Sequence, residues 1–409
     1  MSRAEIDSRK LPSVEWLNFF VADVQTGLGP FLAAYLAAGG WNPSKVGFAL
    51  TFGGLVTVAL QTPAGAIIDA ARNKRLLVAG NLIMLAFGAV LLMGQLKATS
   101  VFAAQLFIGA SAAFLAPSIA AITLGLVGNQ RFDRQFGRNQ GFNSAGNVAS
   151  ALLIALVSYK FGYHAIFVIA VLFTIPSLIC LFAIDGNQID YARARGSSSD
   201  AKDSKTEGIR VLLKDHVLLF FLSAVFLFHL SNAAMLPQLG EMLARGKLQD
   251  SAPLMSACII VTQLVIACTA AWFGKRAMEK GRKPLLLIGF GVLPIRRILY
   301  TLTHATGALI AIQLLDGIAN SIFVTVSILV IKDLTEGTGR FNLASGALAT
   351  MVGMGAALSN AMGGLLIQHF SYNASFLGLA ATGLVAVTLL YFEVPETLRA
   401  GIPGRQGQL

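Results

Sequence analysis

The chain reads as an all-α polytopic membrane protein, with twelve transmembrane helices in two pseudo-symmetric six-helix bundles, and three observations predict this. Only 12% of the 409 residues are charged and the mean hydropathy is +0.69, whereas a soluble domain carries about 25% charge. The apolar residues gather in runs of about 20, enough to cross roughly 30 Å of hydrocarbon as helix. Short patterns in the first half also recur in the second at a nearly constant offset.

The runs place helices near residues 14–38, 44–69, 76–96, 100–127, 139–160, 163–184, 215–240, 252–274, 284–304, 307–332, 341–368 and 373–393. The first follows Arg9-Lys10 and, at about 25 residues, is too long for a cleaved signal core, so it reads as a span. Asn42-Pro43 supplies a cap and a first-turn proline for the second. The one long polar stretch, residues 185–210, is rich in Ser, Asp, Lys and Gly and cannot bury a core. It separates an N-terminal bundle (1–184) from a C-terminal one (213–409), with 185–212 as a cytoplasmic linker. Of the 31 lysines and arginines, 24 fall at the termini and in loops on the linker's side and five on the other. That bias puts both termini in the cytoplasm of a bacterial-type inner membrane. The net charge of +11 is then a topology signal and not a nucleic-acid patch. Cys180, Cys258 and Cys268, unspaced in apolar runs, offer neither a disulfide framework nor a metal site.

Gln105-Leu-Phe-Ile-Gly109 returns as Gln313-Leu-Leu-Asp-Gly317 at an offset of 208, and Phe161-Gly-Tyr-His-Ala-Ile-Phe167 as Phe370-Ser-Tyr-Asn-Ala-Ser-Phe376 at 209. Two parallel repeats with a binding site between them near the midplane are a transporter plan. The loop after the second span, Gly65-Ala-Ile-Ile-Asp69-Ala-Ala-Arg72-Asn73-Lys74-Arg75, and its counterpart from Gly274 to Gly281-Arg282-Lys283 carry complementary parts of a G-x-x-x-D-x-x-G-R-K pattern. With these motifs the chain resembles the major facilitator superfamily (MFS) over nearly its whole length. The resemblance implies the MFS fold and a cytoplasmic gate formed by Gly65, Asp69, Arg72, Lys74, Arg75, Gly274, Gly281, Arg282 and Lys283. Asp69 can cap a neighbouring helix or pair with arginine there; the plainer alternative is a solvated loop acid. Arg72 replaces the pattern's second glycine, Met278 its second acid, and Gln105 the family's arginine on the fourth helix. GRNQGFNSAGN (137–147) stands where antiporters carry Gly-Pro. These departures argue against the well-known drug–proton antiporter groups, not against the superfamily.

Asp23 lies about nine residues into the first span, roughly 13 Å deep and near the midplane. A charge there costs several kcal/mol unless it faces a polar interior. Asp23 is the leading candidate for proton coupling. Thr26 shares its helix face, and the repeat sets Asn232 opposite it, with His229 three residues before. The resemblance implies that both helices line the central cavity. The alternatives are a structural carboxylate, a threonine bonded to its own helix, and a packing histidine. Arg297, about eight residues before the turn near 304–307, and Asp316, about ten after it, come to similar depth, with Arg296 beside them. An Arg–Asp pair there offsets burial, either structurally, with the second arginine snorkelling outward, or as a switch released by solute or proton, and the arginine favours an anionic solute group. Asp316 therefore competes with Asp23 as coupling carboxylate; Asp23 has no basic residue in its own helix to hold it ionised. Asn139, Asn143 and Asn147 form one polar stripe, facing either cavity or a neighbouring helix. Gln105 and Asn320 complete the polar candidates for the substrate cavity. Gly27, Gly29 and Pro30 permit a bend or simply close packing.

No nucleotide-binding loop, metal spacing or other enzyme signature occurs in the sequence, and no cofactor is expected. The sequence therefore reads as a monomeric secondary active transporter of a small organic solute working by alternating access, with protons as coupling ion. Amides and aromatics around a cavity favour efflux of amphiphiles. A proton-coupled importer or a uniporter, including one for an anionic metabolite, is the alternative, and a membrane-embedded enzyme or sensor ranks last.

Overall fold

The computed structural model describes residues 11–26, 28–71, 73–190, 215–246, 251–336 and 341–398. Among these, fourteen α-helices are present and no strand. They are α1 (Leu11–Thr26), α2 (Leu28–Ala38), α3 (Pro43–Ala70), α4 (Lys74–Met93), α5 (Ala98–Val127), α6 (Asn129–Phe161) and α7 (His164–Ala183), then α8 (His216–Asn232), α9 (Met235–Arg245), α10 (Ser251–Lys280), α11 (Lys283–Leu302), α12 (Thr306–Thr335), α13 (Phe341–His369) and α14 (Tyr372–Glu393). Eleven helical stretches of the described residues are long and apolar enough to cross a membrane, α8 and α9 counting as one. The stretch expected as the first span is described as α1 and α2, on either side of Gly27. Residues 191–214, the bulk of the expected linker, lie outside the described residues, as do Gly27, Arg72 and the side chains of Asp23 and Thr26.

Local chemistry fixes most boundaries. Asn42 accepts from the Lys45 amide at 2.9 Å with Pro43 in the first turn, and Asn73, Asp215 and Ser371 cap α4, α8 and α14 in the same way. α6 starts ten residues before the expected 139 and α10 runs six past the expected 274. Both extensions are polar, so a search for apolar runs sees only the part inside the lipid.

The seventh expected span is broken between α8 and α9, just before Pro237. A proline lacks the N–H that would bond the carbonyl four residues earlier, here that of Ala233. Ala234 instead donates its amide to the Ser359 hydroxyl at 3.0 Å.

Helices α1–α7 pack mainly among themselves, and α8–α14 likewise. Leu17, Leu82, Leu115 and Ile122 belong to a core of the first set; Phe221, Phe228, Phe290 and Ile322 belong to that of the second. The sets meet through α2 on α9, α3 on α13 and α6 on α10. In the repeat, α3 corresponds to α10 and α6 to α13, so the last two contacts are images of each other. The α3–α13 crossing is close because Gly47 lies on the backbone of Asn360 and Gly364, and Gly54 on Ala357; a side chain at either glycine would collide. The Thr51 hydroxyl donates to the Ala357 carbonyl at 2.7 Å. Beyond this crossing, Arg245 at the end of α9 donates to the Trp41 carbonyl. The contacts between the sets thus gather toward the end where α2 and α9 finish.

Candidate functional site

A cavity of about 520 Å³ lies between the two helix sets. Small side chains of α3, α5 and α13 form much of its wall, among them Gly53, Gly54, Ala112, Gly353 and Ala356. Its polar groups are Thr57, Gln61, Gln105, Asn232, Asn360, Arg296 and Asp316. A second cavity of about 150 Å³ adjoins it between α6 and α10. Pro30, Leu236 and Asp316 line both.

Asp316 organises the site. Its Oδ1 pairs with Arg296 Nη1 at 2.5 Å and accepts from Asn320 Nδ2 at 2.9 Å and Asn232 Nδ2 at 3.4 Å. Its Oδ2 accepts from the Thr262 hydroxyl at 3.2 Å. Arg296 also donates to Asn232 Oδ1 at 2.7 Å, and its guanidinium carbon lies 5.9 Å from the centre of the Tyr300 ring. Arg296 is 2% exposed. Charge, hydrogen bonds and the aromatic face together offset the cost of burying Arg296. Three elements supply the cluster: the broken end of α8, the middle of α11 and the middle of α12, with Thr262 added from α10.

It is Arg296, and not the Arg297 whose count to the turn matches Asp316, that meets the carboxylate, and the second arginine does not snorkel outward. Neighbouring helix residues point about 100° apart, and Arg297 reaches instead to α8. Fully buried there, it donates to the Ser231 carbonyl, one of the orphan acceptors that the helix break leaves in the membrane. A cation also suits the negative end of that helix.

The other expected residues divide. Gln105 lines the large cavity and donates to the Ala49 carbonyl at 3.0 Å, tying α5 to α3. The asparagine stripe serves both expected roles. Asn139 is buried between Gln135 and the Thr123 hydroxyl, in a network that ends on the Glu15–Arg138 ion pair at 2.8 Å. Asn143 donates to the Asn18 carbonyl on α1 at 3.4 Å, and Asn147 lines the small cavity. His229 lies outside both cavities, edge-on to Phe323 with ring centres 4.7 Å apart, because that face of α8 turns into the aromatic core. Asp23 and Thr26 sit in the last two turns of α1, before the cavity-lining Gly29 and Pro30. Sequence reasoning passed over Thr262, Asn360 and Gln61. The two amides carried the same signal as Asn232, a polar group in an apolar run.

The two loop motifs fold alike. Lys74 donates to the Ile68 carbonyl at 2.5 Å and Arg282 to the Ala277 carbonyl at 2.5 Å, acceptors 209 residues apart. The next residue in each copy reaches the end of its set's last helix: Arg75 to the Ile184 carbonyl at 2.5 Å and Lys283 to the Tyr391 carbonyl at 2.7 Å. Arg282 also pairs with Asp333 at 3.1 Å, and Glu396 accepts from the Arg282 and Lys283 amides. Gly281 has φ +98°, a left-handed turn that suits glycine. Gly65 and Gly274 are half-buried in the last turns of α3 and α10, and Asp69 is exposed at the end of α3.

An all-helical membrane chain with a polar cavity between two repeats defines a solute transporter. The sequence pattern of the Major Facilitator Superfamily matches residues 16–293 and again 247–408. An uncharacterised MFS-type transporter of Mycobacterium tuberculosis is 37% identical over 400 residues, covering 97% of this chain and 96% of the relative. A bicyclomycin resistance protein homologue of Haemophilus influenzae is 29% identical over 118 residues, 29% of each chain. Among solved structures, the nucleoside transporter NupG superposes with a TM-score of 0.77 at 14% identity, covering 93% of this chain and 98% of that one. A POT family transporter in complex with 5-aminolevulinic acid gives 0.74 at 14% identity, over 94% and 96%. The chain belongs to the major facilitator superfamily: it is a multi-pass membrane transporter and not an enzyme.

Proposed function

We propose that this transporter moves a small organic solute with an anionic or strongly hydrogen-accepting group by alternating access, with protons as coupling ion. It does so as a monomer of twelve spans in two six-helix bundles, both termini in the cytoplasm of a bacterial-type inner membrane. The observation that carries this reading is the 2.5 Å Arg296–Asp316 pair on the cavity wall. While Asp316 is ionised it holds Arg296. A proton on Asp316 cancels that attraction and frees a buried guanidinium for a solute anion. Proton and solute then favour each other's binding, which is the linkage of co-transport. The pair therefore supports uptake driven by an inward proton gradient. The efflux expected from an amide-lined cavity calls for the opposite linkage, with proton and solute competing for one site.

With the termini inside, the closed end at α2 and α9 faces outward, and the cavity belongs to the inward-facing state. Rocking about α3–α13 and α6–α10 would expose Arg296 and Asp316 to the other side. Asp23 is the second candidate carboxylate.

The test uses the purified protein in liposomes with an imposed pH gradient, alkaline inside, and a panel of labelled organic anions and neutral analogues. Accumulation of an anion that collapses with a protonophore is expected. Flux indifferent to the gradient, or driven out of the alkaline side, would overturn the reading.

A further inference from the structure

We infer that the small cavity between α6 and α10 is a proton-loading chamber, through which Asp316 is protonated from the face opposite the solute; this deepens the reading of Asp316 given above. The two cavities share one partition of Pro30, Leu236 and Asp316, in which Asp316 is the one ionisable group among the described residues. The carboxylate divides its oxygens between the two sides. Oδ1 is taken up by Arg296, Asn232 and Asn320, of which the first two line the large cavity. Oδ2 faces Thr262, which lines the small one. At about 150 Å³ the small cavity has room for on the order of five waters at ~30 Å³ each. Asn147, Ser150, Thr262 and Gln263 give those waters polar partners, and Phe31 and Ile259 make the rest of the wall too apolar and narrow for an organic solute.

The step balances without a co-reactant. A chamber water carrying an excess proton passes it to Oδ2. The new hydroxyl donates to the Thr262 oxygen, whose own hydrogen turns away, and Arg296 loses its counter-charge on the solute side. The charged and titratable groups facing Asp316 are Arg296, Arg297 and Tyr300 from α11 and Cys258 from α10. The groups named from α6 and α8 are neutral amides and a hydroxyl. A separate entry keeps the coupling tight, because the proton can arrive while a solute fills the larger cavity.

Infrared difference spectroscopy on the full chain in lipid vesicles tests this with protons and deuterons as the only probes. The protonated carboxyl of Asp316 is assigned as the C=O band lost in Asp316→Asn, and its hydrogen–deuterium exchange is timed after a jump into heavy water. Ala151→Leu fills the small cavity from α6, and Thr262→Val removes the hydroxyl at constant shape. Ala112→Leu narrows the large cavity instead. The expected result is exchange slowed at least tenfold in Ala151→Leu and in Thr262→Val, and unchanged in Ala112→Leu. Exchange at the original rate in both small-cavity variants overturns the inference and leaves Asp316 as coupling group. Slowing in Ala112→Leu alone also overturns it, by placing proton entry on the solute side. The absence of any band that Asp316→Asn removes overturns the reading of Asp316 and the inference with it.

Discussion

Arg245 is the charged side chain that joins the two helix sets at their closed end, and replacing it should release that end. Its guanidinium is held by Glu241 at 3.0 Å within α9 and donates across to the Trp41 carbonyl between α2 and α3. Glu241 is 3% exposed, so the i,i+4 pair anchors the arginine before it reaches over. Opening breaks only the bond to Trp41. A hydrogen bond from a charged donor contributes about 1.5–3 kcal/mol. The Arg245 side chain is 32% exposed, which cuts the figure to about 1–2 kcal/mol after solvent screening. At 1.4 kcal/mol per tenfold, Arg245→Gln should shift the ratio of open to closed forms of this end by roughly 5- to 30-fold. Spin labels at Lys45→Cys and Asn373→Cys, both exposed near that end, report the change as a second, longer distance once the native cysteines are replaced. A distance distribution identical to that of the parent would refute the latch. Loss of the closed state together with loss of folded protein would place Arg245 in the α9 fold instead, and Arg245→Lys separates the two by keeping the charge.

Other outcomes follow from the same geometry. Arg296→Gln leaves the half-buried Asp316 carboxylate without its cation and should lower unfolding stability by about 2–3 kcal/mol, below the range of a fully buried pair. The Arg296→Gln/Asp316→Asn double variant should recover most of that in a thermal-melt cycle with both single variants; a double loss equal to the sum of the two single losses would mean the pair is not coupled. For orientation, a cysteine at Lys97 should react with a membrane-impermeant reagent added outside intact cells, and one at Lys280 only after the inner face is opened.

How far the sequence could be read depends on which physical rule fixes each feature. Helix positions followed from apolar length, and the depth match of the 296–297 pair with Asp316 followed from counting residues to the turn near 304. The count set Arg297 against Asp316 and was one residue out, since the pairing is decided by the 100° between consecutive side chains and by the orphan carbonyl of Ser231 that claims Arg297. The break at Ala233–Ala234 carries no glycine and reads as continuous helix until Pro237 is matched to the carbonyl it cannot bond. His229 was set beside Asn232 by spacing alone, and the aromatic core of Phe228 and Phe323 accounts for its place. Thr262 gave no signal, because a threonine in an apolar helix can satisfy its hydroxyl on its own backbone. The repeat was the most productive clue: it matched the two loops, in which the structure then shows like bonds from Lys74 and Arg282 to acceptors 209 residues apart, bonds the sequence did not name.

The central claim is that a proton on Asp316 frees Arg296 for solute, and side-by-side flux measurements on Asp316→Asn and Asp23→Asn in liposomes test it most directly. Asp316→Asn should keep solute exchange at equal concentrations while abolishing accumulation driven by a pH gradient, with Asp23→Asn still accumulating. If Asp316→Asn still accumulates solute against its gradient while Asp23→Asn does not, coupling belongs to α1 and the account is wrong.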